Sequence, residues 1–290
     1  MKDFISLNDY TINEIETMIE RAFVLKNKKE FPKLNKTVAN LFYENSTRTH
    51  YSFLSAQQKL GMYCMDVDPL LSSEKKGESL SDTLKTLKCL GTDCVVVRHE
   101  NPQVISASEK YPCIINAGLG TEEHPSQALL DLMTIKERHD NLNGLKITIV
   151  GDLKHSRVAK SNTQLFKRFG AKLFYVAPPE YQDDYYQHYG AYISMEQALE
   201  ISDIIICLRI QKERHLEQSP LSFSEYFATY GLDEMKLAQT QSHCMIMHPG
   251  PINRNVEMSD AVVEHEKSVY FKQIENGVYA RMAILEAVCA

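Results

Sequence analysis

The hydrophobic pattern of the chain alternates between short apolar runs and longer segments in which apolar residues recur every three or four positions. Short runs such as 38–42, rich in apolar residues, predict buried strands. The longer segments predict amphipathic helices. One begins at Thr11, where Glu14 completes a capping box, and another covers 53–60 and ends at Gly61. Strands that alternate with helices are typical of a parallel sheet with helices on its faces.

The alternation occurs on both sides of a polar break near residue 140. Besides 38–42, apolar strands are predicted at 62–67, 94–97, 114–116, 146–150, 172–176, 204–208 and 244–247. The expected fold class is therefore α/β, with two domains that each contain a mostly parallel, doubly wound sheet flanked by helices. A long helix over 124–139 is expected to join the domains, which span 1–139 and 140–276. The last helix, 277–290, is expected to pack back on the first domain.

Composition narrows the class of protein. The chain has 290 residues, is 43% hydrophobic and 24% charged, and carries a formal net charge of −6, which argues against a general nucleic-acid binder. The N-terminus does not resemble a signal peptide, and no apolar stretch approaches membrane-spanning length. Seven dispersed cysteines, an odd number, fit reduced thiols in the cytoplasm. Cys89 and Cys94 lie close in sequence but fall on different elements, so neither a metal nor another cofactor is expected.

A tetrapeptide of three hydroxyls and a guanidinium, Ser46-Thr47-Arg48-Thr49, lies between the strand at 38–42 and the helix that follows it. Backbone N–H groups in the first turn of a helix lack intrahelical partners, and the helix dipole favours negative charge there. The tetrapeptide therefore predicts an anion site, with a phosphorylated substrate as the first hypothesis. An alternative interpretation is that Ser46 is only an N-cap residue.

Cationic and neutral hydrogen-bond donors follow most of the other predicted strands. They are Arg98, His124, Gln127, Arg157, Arg209, Gln211 and the segment 248–251. In an open α/β sheet, ligands bind at the carboxyl ends of the strands. Few carboxylates accompany these donors, so the cleft suits a pair of anionic ligands.

These segments, in this order, resemble a known family. The first group reads FYENSTRT (42–49), VRH (97–99) and HPSQALLD (124–131), and the second reads GDLKHSR (151–157), LRIQKER (208–214) and HPGPINR (248–254). The chain resembles the catalytic chains of aspartate carbamoyltransferases over nearly its whole length. The resemblance implies direct transfer of a carbamoyl group from carbamoyl phosphate to L-aspartate, without metal or covalent intermediate, as the committed step of pyrimidine synthesis.

The resemblance also implies a role for each site residue. Ser46, Thr47, Arg48 and Thr49 would hold the phosphate, and the residues expected to carry catalysis are Arg48, Thr49, Arg98 and His124. Thr49, Arg98 and His124 would polarise the carbonyl oxygen. Neighbouring arginines are expected to keep the His124 imidazole neutral. Gln127 would bind the carbamoyl amide together with the backbone carbonyls of Gly250 and Pro251.

For the second substrate, Arg157 and Arg209 would bind the two carboxylates of aspartate, with Gln211 in support. The family forms homotrimers with shared sites, so Ser72 and Lys76 would reach into a neighbouring subunit, where Lys76 would contact aspartate. Either regulatory chains in a dodecamer or a dihydroorotase would be a further partner. Nucleic acid and membrane are not expected as partners.

Two positions depart from the family pattern, and three alternative interpretations of the chain can be compared with it. His50 stands where an arginine usually follows, and Leu119 stands where an aspartate is usual. An ornithine-type carbamoyltransferase is disfavoured because Pro249 follows His248 and no Ser-Met-Gly occurs. A dinucleotide site after 147–151 lacks the further glycines it needs. A non-catalytic paralogue with a structural role in a pyrimidine-pathway complex is the third alternative.

Overall fold

The computed structural model describes residues 2–68, 77–101, 111–120, 122–210 and 221–289. Three predicted site residues, Ser72, Lys76 and Gln211, lie outside these ranges.

The strands and helices fall where the hydrophobic pattern predicts them, with a few exceptions. The strands are β1 Thr37–Phe42, β2 Tyr63–Val67, β3 Cys94–His99, β4 Cys113–Leu119, β5 Lys146–Val150, β6 Lys172–Val176, β7 Gly190–Tyr192, β8 Ile204–Cys207 and β9 Met245–Met247. The α-helices are α1 Ile12–Lys26, α2 Thr47–Lys59, α3 Leu80–Cys89, α4 Pro125–Lys136, α5 Arg157–Arg168, α6 Met195–Ile201, α7 Phe223–Tyr230, α8 Glu234–Gln239, α9 Asp260–Val263 and α10 Tyr270–Cys289.

Local signals explain where several elements begin and end. Thr11 caps α1, and its side chain and that of Glu14 exchange hydrogen bonds with each other's backbone N–H, as the capping box predicts. Gly61 follows α2 with φ 63°, in the left-handed region that favours glycine after a helix. β7 is missing from the prediction because three residues with a glycine carry no usable alternation.

The chain divides into two compact units, which are described separately below. Unit 1 comprises Met1–Met133 and Ile274–Ala290, and unit 2 comprises Thr134–Gln273. The division falls within α4 and within α10. The helix expected over 124–139 ends at Lys136, and the C-terminal helix starts at Tyr270, seven residues before the predicted 277.

Each unit contains one parallel sheet, as expected. In unit 1 the order of the four strands is β2-β1-β3-β4, and in unit 2 the order of the five strands is β7-β6-β5-β8-β9. The central strands are buried on both faces; β8, for example, is buried at each of its positions. In each sheet the order of the strands changes direction at the first strand, β1 or β5: the next strand lies on one side of it and a later strand on the other. Such switch points are where α/β proteins bind ligands.

Among the described residues, none of the helices combines the length and the hydropathy that crossing a bilayer requires.

Candidate active site

The predicted anion-binding residues of unit 1 follow three neighbouring strands. β1, β3 and β4 lie side by side and run parallel, so their carboxyl ends meet at one edge of the sheet. Ser46–Thr49 follow β1, Arg98 is the second-last residue of β3, and His124 follows β4. The sheet therefore collects these residues at its switch point.

Ser46 lies at the N-cap of α2 but does not act as a capping residue. Within the described part of the chain its side chain accepts no capping hydrogen bond. By contrast, the N-cap side chains of α1, α3, α5 and α6 each accept a hydrogen bond from a backbone N–H of the first helical turn; these N-cap residues are Thr11, Ser79, Ser156 and Ser194. The Ser46 hydroxyl and the first-turn N–H groups of α2 thus retain their capacity to bind an anion. This finding favours the functional interpretation of the tetrapeptide over the N-cap alternative.

Arg98 is held by two groups of unit 1. Its Nε forms an ion pair with Oε2 of Glu44 at 3.0 Å, and its Nη1 donates to the carbonyl oxygen of Ala117 at 3.4 Å. The Arg98 side chain is 14% exposed, so these contacts position it beside the ligand edge without removing it from solvent. Glu44 is a supporting residue that the sequence analysis did not assign.

Thr49 and His124, two of the predicted carbonyl-polarising residues, are in contact. Oγ1 of Thr49 lies 3.4 Å from Nε2 of His124, and both residues are buried. On the other side of the ring, Nδ1 of His124 lies 3.5 Å from Oγ of Ser126. The imidazole is therefore oriented through both nitrogens.

The amide of Gln127 is oriented by a carboxylate one helical turn further along α4. Nε2 of Gln127 donates to Oδ1 of Asp131 at 3.0 Å, and both side chains are buried. Because the donating end of the amide is held, the carbonyl oxygen is the end that can accept an N–H from a ligand. Asp131, like Glu44, is a supporting residue that the sequence analysis did not identify.

His50, the first departure from the family pattern, is held in place by a carboxylate and an aromatic ring. Nε2 of His50 lies 2.6 Å from Oδ1 of Asp66 on β2, and the ring stacks on Phe42 with centroids 4.4 Å apart. His50 therefore links the first turn of α2 to two strands of the sheet.

Leu119, the second departure, is a core residue. It is 4% exposed and packs in a cluster with Leu41 and Val97. Its backbone N–H donates to the carbonyl of Glu123 at 3.2 Å, while Oε1 of Glu123 accepts a hydrogen bond from Oγ of Ser6 at 2.9 Å. Burial raises the pKa of Glu123. The loop before His124 is thus anchored by its backbone and by Glu123.

In unit 2 the predicted residues also follow neighbouring parallel strands, β5, β8 and β9. Arg157 is the first residue of α5, Arg209 follows β8, and Gly250 and Pro251 follow β9. Both arginines are half-buried. Oγ of Ser156 caps α5 by accepting a hydrogen bond from Ala159 N. This N-cap serine, unlike Ser46, therefore makes its capping bond.

The loop between β5 and α5 is fixed mainly through its backbone. Gly151 has φ 125°, and a Cβ there would lie 3.1 Å from Cβ of Leu208, the residue before Arg209. The phenol of Tyr186 donates to the carbonyl of Leu153 at 2.9 Å. The loop and the end of β8 therefore lie close together, and this places Arg157 and Arg209 on neighbouring connections.

A buried carboxylate, Glu257, joins the segment after β8 to the segment after β9. Its Oε1 accepts from Ile210 N at 2.8 Å and from Nδ2 of Asn253 at 2.8 Å, and its Oε2 accepts from Asn253 N at 2.6 Å. Asn253 Nδ2 also donates to the carbonyl of Ile210 at 2.9 Å. Glu257 is 2% exposed, and the sequence around it, NRNVEMSD (253–260), mixes polar and apolar residues and does not mark it as buried.

Both units match models of one protein family. Residues 2–137 match the family model described as aspartate/ornithine carbamoyltransferase, carbamoyl-P binding domain, and residues 143–288 match its Asp/Orn binding domain. The chain is 43% identical to an aspartate carbamoyltransferase catalytic subunit of Oenococcus oeni, covering 98% of this chain and 95% of that protein. It is 45% identical to the corresponding subunit of Ligilactobacillus salivarius, covering 99% and 95%.

Two solved structures have the same fold. Aspartate transcarbamoylase from Trypanosoma cruzi, in complex with carbamoyl aspartate and phosphate, matches with a TM-score of 0.89 and 32% identity, over 98% of this chain and 94% of that one. The catalytic subunit of the M. jannaschii enzyme matches with a TM-score of 0.88 and 34% identity, over 99% and 98%. The chain belongs to the aspartate/ornithine carbamoyltransferase family.

Proposed function

We propose that this chain transfers the carbamoyl group of carbamoyl phosphate to the amino group of L-aspartate, giving N-carbamoyl-L-aspartate and phosphate. The observation that supports it best is the start of α2, where Ser46 makes no capping bond and comes shortly before Thr49 of the Thr49–His124 pair; α2 follows β1, the neighbour of the strand that carries Arg98. Such a site binds a phosphate and, next to it, offers donors to a carbonyl oxygen.

The reaction needs orientation and charge stabilisation from the protein. The aspartate nitrogen bonds to the carbonyl carbon, negative charge develops on the carbonyl oxygen, the bond from that carbon to the phosphate oxygen breaks, and an amine proton is released. Arg48, Ser46 and Thr47 would bind the phosphate, while Thr49, Arg98 and His124 would donate to the oxyanion. Guanidinium groups suit phosphate because their donors are arranged in a planar fork.

Aspartate is the favoured acceptor. Arg157 and Arg209 would each bind one of its carboxylates. An acceptor with a single carboxylate, such as ornithine, would make less use of the two arginines. Gln211 would support Arg209, and the carbonyls of Gly250 and Pro251 would accept from the carbamoyl amide together with Gln127. The relatives named above are aspartate enzymes, which supports the same choice.

The decisive experiment is a colorimetric assay for the ureido product, run on the purified chain with aspartate and ornithine in parallel. Product with aspartate alone is expected. Product with ornithine alone would identify the other branch of the family, and no product with either acceptor would support the non-catalytic paralogue.

We further propose that the chain works as a cytoplasmic homotrimer in pyrimidine synthesis, with Ser72 and Lys76 contributed across subunit interfaces. If sites are shared, mixing an Arg48→Ala chain with a Lys76→Ala chain restores activity, because some hybrid sites then contain neither substitution. If verified subunit exchange leaves the mixture as inactive as both parents, the shared-site proposal is wrong.

A further inference from the structure

Arg281 is a buried arginine on α10 that the family-based roles do not use. It is 2% exposed, although most of its neighbours on this face of the helix are apolar. Its Nη1 donates to the carbonyl of Gly277 at 3.0 Å, and its guanidinium carbon lies 5.1 Å from the ring centroid of Phe53. Burying a guanidinium is costly unless its donors are used, so its location requires an explanation.

Arg281 is connected to the site of unit 1 through a chain of buried side chains. Its Nη2 lies 3.5 Å from Oγ of Ser126, and that oxygen lies 3.5 Å from Nδ1 of His124. Nε2 of His124 in turn lies 3.4 Å from Oγ1 of Thr49. The four residues are between 0% and 5% exposed, so water does not compete for these contacts.

The chemistry of these groups gives the chain a direction. A guanidinium only donates, so the serine oxygen accepts from Arg281 and its own proton is available to the histidine. A neutral imidazole that accepts at Nδ1 carries its proton on Nε2. That proton faces the side of the ring where Thr49 lies, which is the side proposed to donate to the substrate carbonyl.

We propose that Arg281 is a positioning residue, which acts through Ser126 to fix His124 as the neutral tautomer protonated on Nε2. This inference deepens the proposed function and rests on it for the catalytic consequence. The tautomer itself is a property of the free protein, so that part of the inference does not depend on the proposed function.

The same guanidinium balances the carboxylate that orients Gln127. Asp131 is fully buried and accepts from Nε2 of Gln127 at 3.0 Å. Burial lowers the pKa of Arg281 to about 9, and the charge of Asp131 opposes that shift, so the arginine keeps its charge at neutral pH. One buried cation therefore supports two side chains on the first turns of α4, His124 at its start and Gln127 within it.

Gly277 provides the space that this guanidinium occupies. A Cβ at Gly277 would lie 2.6 Å from Nη1 of Arg281 and 3.3 Å from Cδ2 of Leu130. Glycine inside a helix costs about 0.5–1 kcal/mol relative to alanine. The close approach of Arg281 explains why the helix has a glycine here, and Gly277→Ala would displace the guanidinium without removing its charge.

The test measures the tautomer of His124 from the imidazole ¹⁵N chemical shifts of the full chain labelled on histidine. The His124 signals are assigned by their loss in His124→Gln. In the wild-type protein they should be those of the Nε2-protonated ring. In Ser126→Ala and in Gly277→Ala they should move towards the Nδ1-protonated form. Ser202→Ala is the matched control, since it removes another fully buried serine hydroxyl, which lies 2.6 Å from Oγ1 of Thr148 in unit 2.

Activity provides the second readout. Ser126→Ala should lower kcat about tenfold, the effect of losing about 1.4 kcal/mol of transition-state stabilisation, with little change in KM for carbamoyl phosphate. Arg281→Lys should retain more activity than Arg281→Met, because the ammonium still donates. Unchanged ¹⁵N shifts in both Ser126→Ala and Gly277→Ala would overturn the proposal, even if Arg281→Met fails to fold. An inactive wild-type chain would instead overturn the proposed function, and the ¹⁵N result would still decide the inference.

Discussion

The two sets of predicted site residues are supported in different ways. In unit 1 the functional side chains are held by other side chains: Arg98 by Glu44, Gln127 by Asp131, and His124 by Thr49 and Ser126. In unit 2 the contacts described above fix the backbone of the loops that carry Arg157 and Arg209. Since side-chain geometry matters most where charge develops, this difference supports the proposal that unit 1 serves the chemical step and unit 2 binds the acceptor.

The largest expected effect tests the chemical half of this comparison. Arg98→Ala removes a charged donor from the proposed oxyanion site and should lower kcat about 10²–10³-fold, as loss of one such donor commonly does. The measurement is steady-state kinetics with both substrates varied. The matched control is Arg21→Ala, which removes a guanidinium paired with Glu286 in the same unit, and should leave kcat unchanged. A fall of less than about threefold in Arg98→Ala would contradict the assignment.

Glu257→Gln tests the binding half. The amide would keep one acceptor but would turn its NH2 group towards the backbone N–H of either Ile210 or Asn253, leaving buried donors unpaired. We expect KM for aspartate to rise about tenfold with kcat less affected, and the free energy of unfolding to fall by about 1–3 kcal/mol. Kinetics and urea denaturation measure the two effects.

Glu264→Gln is the control for this substitution. It removes the partner of an exposed ion pair with Arg254, at 2.8 Å, a few residues further along the chain. Exposed pairs contribute about 0–1 kcal/mol, so both the stability and KM should change little. If Glu257→Gln lowers kcat and leaves KM for aspartate unchanged, the division of roles between the units is wrong.

The sequence predicted the strands and their donors better than the groups that hold those donors. Arg98 and Arg209 follow continuous apolar runs, and in a parallel sheet position alone places them at the ligand edge. Glu44, Asp131 and Glu257 could not be assigned in the same way, because which residue a carboxylate meets depends on packing between elements distant in sequence. Leu119 shows the same limit, since it lies in the apolar core at a position where the resemblance leads one to expect an aspartate.

Arg281 was missed for a related reason. In sequence it lies within an apolar helical segment, where a single charge usually marks the solvent-exposed face. Its burial follows from Gly277 and Phe53, which leave room for the guanidinium. The N-cap pattern of Ser46 was also ambiguous, because the sequence cannot show whether a serine side chain makes its capping bond.

A smaller effect on unit 2 is expected from Tyr186→Phe, which removes the phenol that donates to the Leu153 carbonyl at 2.9 Å. The stability should fall by about 0.5–1.5 kcal/mol and KM for aspartate should rise only about two- to threefold. Tyr192→Phe is the matched control, because its phenol donates to the Asp183 carbonyl at 3.0 Å, away from the β5–α5 loop. A comparable loss of stability without a change in KM is expected there. Equal KM values in both variants would show that the Leu153 contact does not position the loop.

The smallest effect concerns Glu123, which anchors a loop of unit 1 as Glu257 does in unit 2. Burial raises the pKa of Glu123, so the folded chain binds this proton more tightly than the unfolded chain. The resulting stabilisation is fully present below the ordinary pKa of glutamate and is lost as the pH rises through the raised value. Glu123→Gln keeps an acceptor for Ser6 and removes the titration, so the melting temperature of the variant should increasingly exceed that of the wild type as the pH rises above about 4, the ordinary pKa of glutamate.

The kcat of Glu123→Gln should equal that of the wild-type chain, because the contacts of His124 with Thr49 and Ser126 hold the ring independently of the loop carboxylate. A reduced kcat would mean that loop anchoring controls the chemistry in unit 1 as well. The contrast between side-chain support in one unit and backbone support in the other would then fail at the residue next to His124, the histidine proposed to act in the chemical step.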